Sequence, residues 1–180
     1  MLGAAAWATE RIRLMTYVTS PIKRYHPVVV AQKAATVQLL SQGRFTLGLG
    51  AGENLNEHVT GGGWPPGNTR HERLREAVEI IRKLWTGEYV SYRGKHYDVD
   101  SAKIWDLPDV LPDIGIAVSG KASCTLAGEL ADVMVAVEPE ASLGKDFAPR
   151  CARPDAVPDV RRGAADRVRS AAPRAKQCAV

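Results

Sequence analysis

A carboxylate set directly behind alternating glycines can meet a ligand that lies against bare backbone, and the segment RFTLGLGAGENLNE at residues 44–57 has that order. Phe45, Leu47 and Leu49 favour a buried strand, with Gly43 turning the chain into it. Gly50 and Gly52 leave its carboxyl end without Cβ atoms, so a ligand can come close and φ > 0 is open. Glu53 then stands where the strand's carboxyl end opens, which is where ligands bind in open sheets and barrels. The same spacing also fits a glycine-rich turn that only packs closely.

Two familiar motifs fail on single positions. The dinucleotide fingerprint needs a third glycine where this chain has Glu53 or Leu55, so a Rossmann site is not expected. The segment GIAVSGK at 115–121 matches the opening of a phosphate loop, but Ala122 replaces the Ser or Thr that would ligate magnesium. His26, His58, His71 and His96 form no H-E-x-x-H pair, and no metal site is expected. Cys124, Cys151 and Cys178 have neither metal nor disulfide-framework spacing, which leaves reduced thiols as the expectation.

These groups need a scaffold, and 180 residues with 45% hydrophobic and 24% charged content can bury one core. No run approaches membrane-spanning length. The apolar start MLGAAAW lacks a basic leader and runs at once into TERIR, so no signal peptide is expected and the cytoplasm is the expected compartment. Charge is uneven along the chain. Residues 145–180 hold nine Lys and Arg against four Asp, leaving fifteen basic against sixteen acidic residues elsewhere. That basic segment has no aromatic after Phe147, which argues against a nucleic-acid partner.

The pattern along the chain is one of alternating strands and helices. Residues 2–8 suit the last turns of a helix, and residues 12–18 alternate as a strand that Ser20 and Pro21 stop. Val28, Ala31, Ala35 and Leu39 recur with helical spacing from Pro27 to about Leu40. The stretch 51–68, with GGGWPPG inside it, reads as a covering or functional loop. Thr69 and Glu72 have capping-box spacing before a helix whose apolar face is Leu74, Ala77, Val78, Ile81, Leu84 and Trp85. Gly87 closes that helix, and residues 89–98 predict a hairpin turning at Arg93 and Gly94. Its tyrosines could line a pocket or simply sit half exposed. Pro108 and Pro112 frame a loop before a strand at 113–118, followed by a helix over 122–130 and a further strand at 132–137. This order implies parallel βα units. Residues 145–180 form a low-complexity basic tail that cannot bury enough apolar surface to offset its ordering entropy. Disorder is expected there, from a natural flexible tail or from a reading-frame shift in a GC-rich coding sequence.

TYVTSP at 16–21, the glycine segment at 44–57, Trp64 and Pro65, LREAVEIIRKLW at 74–85, GKHY at 94–97 and Asp132 with Val133 together resemble the luciferase-like flavin superfamily. Within it they resemble the deazaflavin-dependent oxidoreductases of the glucose-6-phosphate dehydrogenase type, which use coenzyme F420. The resemblance runs from about Leu2 to Gly144, so the chain divides into a partial luciferase-like barrel domain at 1–144 and a tail at 145–180. It implies an α/β fold, a partial (β/α)8 TIM barrel holding about strands 3 to 6, with the cofactor at the carboxyl ends of the strands.

By that resemblance the Tyr17–Val18 bond matches the family's non-proline cis peptide, whose bulge backs the deazaflavin ring. Ser20, Gly50, Ala51 and Gly52 would line the cofactor, and Glu53 would be the active-site acid. Ser119, Gly120 and Lys121 would meet its phosphate-bearing side chain. The family's first two strands, with a His and a Trp beside the cofactor, would lie before Met1, and its last two strands also have no counterpart. A complete barrel takes about 250 residues, against roughly 145 family-like ones here, so exposed edges and marginal stability are expected, with association as a homodimer one form of rescue. The function implied is hydride transfer between a small organic substrate and F420. An FMN-dependent monooxygenase and a catalytically inactive barrel fragment are the alternatives, with no nucleic acid or membrane as partner.

Overall fold

The computed structural model describes residues 1–136. The expected tail at 145–180, with Cys151 and Cys178, lies outside the described residues. Four strands, β1 (Leu14–Met15), β2 (Phe45–Leu49), β5 (Asp113–Val118) and β6 (Val133–Ala136), form one sheet in the order β1-β2-β5-β6. Every pairing in it is parallel, in the register Leu14 with Phe45, Leu47 with Ile114 and Gly115 with Val133. These are the parallel βα units expected from the alternation, arranged as the partial barrel that the resemblance implied. A second sheet is the antiparallel hairpin of β3 (Val90–Arg93) and β4 (Asp98–Ala102).

Helices cover one side of the parallel sheet. α1 (Leu2–Ala8) is tied to the start of β2 by Arg44, whose guanidinium donates to the carbonyls of Ala6, Thr9 and Ile12. α2 (Pro27–Leu40) begins as proline at a first helical position should, with His26 Nδ1 accepting from Val28 N at 3.3 Å. Its buried face is Val30, Ala31, Ala34, Ala35 and Gln38, whereas Leu39 is exposed. Helical spacing alone put Leu39 on the recurring apolar face. Gln38 is buried since both ends of its amide are used, accepting from Phe45 N and donating to Val110 O, each at 2.9 Å.

α4 (Gly67–Leu84) buries Leu74, Ala77, Val78, Ile80, Ile81 and Leu84, and the following Trp85 is buried too, donating from Nε1 to Ala31 O on α2 at 3.1 Å. The capping box does not form: the helix starts two residues before Thr69, with Pro66 at its cap and no side-chain cap bond. Glu72 is instead drawn off to the hairpin, where Lys95 Nζ and His96 Nε2 stand at 2.8 and 2.9 Å. The hairpin turn also differs, because Arg93 pairs with Asp98 and the turn takes residues 94–97, closed by Gly94 N donating to Tyr97 O at 2.9 Å. α5 (Lys121–Leu130) returns to β6, whose start is fixed by Asp132: its carboxylate accepts from Ile114 N at 2.9 Å and pairs with Arg82 at 3.0 Å.

The strand expected at 12–18 is only two residues long because the chain lifts off β2 after Met15. Thr16 Oγ1 takes over the lost ladder bonds, donating to Gly48 O at 2.8 Å and accepting from Gly48 N at 2.9 Å. The Tyr17–Val18 bond is cis, and pairing resumes at a bridge between Thr19 and Leu49. The bulge fits only because residue 48 is glycine: a Cβ there would lie 2.0 Å from Thr16 O.

Candidate functional site

The carboxyl ends of β1, β2 and β5 lie side by side, since Thr19 bridges Leu49 and Leu49 is in register with Ile116. Small groups line this end. A Cβ on Gly50 would meet Val18 Cγ2 at 2.8 Å and Ala117 Cβ at 3.6 Å, so the bulge, the glycine and Ala117 share one wall. Gly50 N donates to Thr19 O at 3.1 Å and Thr19 N to Gly48 O at 2.8 Å, which locks the bulge onto the strand end. Tyr17 is 68% and Val18 38% exposed, so both stand open beside this wall rather than in the core.

The loop after β2 runs into α3 (Asn54–Glu57) and a single 3-10 turn at His58–Thr60, so the stretch from 51 to 66 is less irregular than its glycines suggested. Gly52 has φ +70°, and its missing side chain is the point on which Ser20 Oγ, Glu57 Cγ and Trp64 Cη2 converge, 2.8, 3.2 and 3.2 Å from an ideal Cβ. Ser20 is buried, and its hydroxyl has no hydrogen-bond partner among the described residues. Glu53 is exposed at the cap of α3, and among the described residues its carboxylate accepts only from Asn56 Nδ2, at 3.4 Å. An exposed acid at the rim of the site can reach a ligand without first giving up a strong partner.

Residues 119–121 follow β5 at the same end. Ser119 N and Gly120 N both donate to Ser123 Oγ, at 3.0 and 3.1 Å, so the helix supplies its own acceptor for the two amides expected to meet a phosphate. What this corner leaves open is the exposed Lys121 and the side chain of Ser119. Sequence reasoning missed Ser123, although its place three residues into the helix is where a side chain reaches back to the cap.

Four further residues belong to the site, three of them outside any motif. Glu57 is buried, with 5% of its surface exposed, and pairs with Arg24 at 3.5 Å without a hydrogen bond to Oε2. Arg24 also donates to Asn56 O, and Lys23 Nζ to Gly63 O at 2.8 Å. Arg70 stacks on Trp64, 4.7 Å from the ring centre, and donates to the carbonyls of Ala51 and Gly52. Only Glu57 carried a signal, as the last residue of the glycine segment at 44–57.

Away from the site, a groove of about 670 Å³ lies on the helix side of β1 and β2, lined by Leu2, Thr16, Val37, Leu40 and Leu47 among others. Thr16 and Thr19 of the bulge stand between it and the wall at the strand ends, bordering the groove. Among the described residues no helix is long and apolar enough to cross a membrane.

Parallel strands with glycine-edged loops at their carboxyl ends and helices outside define a (β/α)-barrel enzyme scaffold. The chain belongs to the luciferase-like monooxygenase family, which it matches over residues 1–176. It is 48% identical over 131 residues to an F420-dependent glucose-6-phosphate dehydrogenase of Beutenbergia cavernae (strain ATCC BAA-8), covering 73% of this chain and 39% of that protein. It is 44% identical over 129 residues to an F420-dependent hydroxymycolic acid dehydrogenase of Mycobacterium tuberculosis, covering 72% and 36%. A solved F420-dependent secondary alcohol dehydrogenase, in complex with an F420-acetone adduct, superposes with a TM-score of 0.73 at 34% identity, over 75% of this chain and 41% of that one. The chain thus spans about two fifths of the length of the relatives it matches.

Proposed function

We propose that this chain is the cofactor-seating portion of an F420-dependent oxidoreductase, acting in the cytoplasm on a small organic molecule. The observation that carries the reading is the wall on which the Val18 side chain packs against the bare backbone of Gly50, with Ala117 beside it, at the end where three parallel strands meet. A flat tricyclic ring needs a surface of this kind, and a Cβ at position 50, 2.8 Å from Val18 Cγ2, would push Val18 out of it. The relatives' F420 dependence supports a deazaflavin there.

Bound, F420 supplies a ring carbon that takes or gives a hydride. Val18 and Gly50 would bear against the ring, and Ser20, Ala51 and Gly52 would line it. Glu53 polarises the substrate or moves its proton at the carboxylate. Lys121 and the Ser119 hydroxyl meet the anionic side chain, since Ser123 already occupies their neighbouring amides. The seat belongs to residues 1–144, with residues 145–180 a separate basic segment, and a homodimer is one assembly that covers the outer edge of β1. Titration of the chain with F420 and with FMN, followed by cofactor fluorescence, tests the reading. Tighter F420 binding is expected; tighter FMN binding overturns the assignment.

A further inference from the structure

We propose that Arg70 is a positioning residue that turns the backbone of the binding loop so that two amides face the ligand, an inference that rests on the cofactor reading above. Arg70 lies in the first turn of α4, outside the loop it serves. Its Nη1 donates to Gly52 O at 3.2 Å and to Ala51 O at 3.4 Å. The guanidinium plane is held by Trp64, whose ring also approaches Gly52, 3.2 Å from where a Cβ would stand.

In a trans peptide the C=O and the next N–H point in opposite directions. Drawing the carbonyls of Ala51 and Gly52 onto Arg70 therefore turns the amides of Gly52 and Glu53 away from it. Neither amide donates to any atom among the described residues. Successive N–H groups facing one way across a residue with φ near +70° make a concave donor pair of the kind that holds an oxyanion or carbonyl oxygen. The ligand class is thus a heterocycle that presents an acceptor edge at the end of β2. Without Arg70 the Gly52 peptide can rotate, because glycine restrains neither φ nor ψ. Lysine could supply the charge, but not the planar fork that stacks on Trp64 while donating to two carbonyls.

The test compares the full chain with Arg70→Ala and Arg70→Lys, and with Arg75→Ala as a control from the exposed pair to Glu129. Amide hydrogen exchange is read first, without cofactor, so that its outcome does not depend on the identity of the ligand. Arg70→Ala should speed exchange of the Asn56 and Glu57 amides, which donate to Glu53 O, by about tenfold, as expected for loss of a charge-assisted bond that holds the loop, while Phe45–Leu49 stay protected. Methylguanidinium should restore protection, Arg70→Lys should not, and Arg75→Ala should match the parent. F420 affinity is read second and should fall in Arg70→Ala by about tenfold or more, recovering with methylguanidinium. Unchanged exchange in Arg70→Ala, exchange raised equally across β2, or full protection in Arg70→Lys would each overturn the role of Arg70. Failure of the parent chain to bind F420 while the exchange results hold would instead overturn the cofactor reading and leave the brace in place.

Discussion

Two turns of this molecule use backbone amides in opposite ways. In the hairpin turn, Lys95 N and His96 N donate to the two carboxylate oxygens of Glu76 at 3.0 Å, and Tyr97 N joins at 3.2 Å. In the loop after β2, the amides of Gly52 and Glu53 meet no acceptor among the described residues. The first turn is a clasp, and its polar groups are satisfied before any ligand arrives. The second is braced only through its carbonyls and keeps its donors outward. Polar groups left open cost stability unless water or a ligand takes them, so an open turn beside a satisfied one marks which of the two was shaped for binding.

The comparison is broken most severely by filling the space under the bulge. In Gly48→Ala the new methyl would meet the Thr16 carbonyl at 2.0 Å, against backbone that cannot swing aside like a side chain tip. The expected cost is about 3 kcal/mol or more of stability, measured by urea unfolding, together with loss of cofactor affinity because Val18 and Gly50 part. Affinity retained at parental level would show that the bulge does not form the wall.

Glu76→Ala attacks the other side, leaving three backbone amides without their acceptor at once. A loss of about 2 kcal/mol is expected by denaturant unfolding. Cofactor affinity in the folded fraction should not change, as the clasp lies on α4 and the hairpin. A fall in affinity as large as that in Arg70→Ala would mean that the two turns act as one unit.

Much of the scaffold was legible because burial follows periodicity. The run from Leu74 to Trp85 gave α4, and FTLGL between Gly43 and Gly50 gave β2 with its open carboxyl end. The cis bond came through family resemblance rather than from spacing. What could not be read are groups whose partners are distant in sequence. Gln38 reaches Val110, Arg70 reaches Ala51, and Glu72 leaves its own helix cap for Lys95. A local motif such as the capping box competes with such long-range partners, and a lysine together with a histidine on a packed hairpin outweighs one amide at a helix end. Ser123 is a different case, a local partner that takes the amides of Ser119 and Gly120 from within the first turn of the next helix.

Tyr97 offers the finest discrimination, because it ties the clasp to the chain just below the open loop. Its hydroxyl donates to Pro21 O at 2.8 Å, next to the buried Ser20, and its ring meets His26 edge-on at 5.6 Å. Burial, first, and the Glu76 charge raise its pKa to about 12 from 10.0, against an opposing pull from Arg73. A phenol whose folded pKa is raised stabilises the native state fully below pH 10, and that contribution disappears as pH climbs through the folded value. Tyr97→Phe should therefore cost about 1 kcal/mol near neutral pH, for the lost hydrogen bond, yet flatten the decline in stability between pH 10 and 12. Unfolding followed across that interval decides the matter. If the variant declines as steeply as the parent, the alkaline limb belongs to other groups and Tyr97 is only a packing contact. If it flattens while cofactor binding at neutral pH is unchanged, the clasp stabilises the floor of the site without shaping the donors above it.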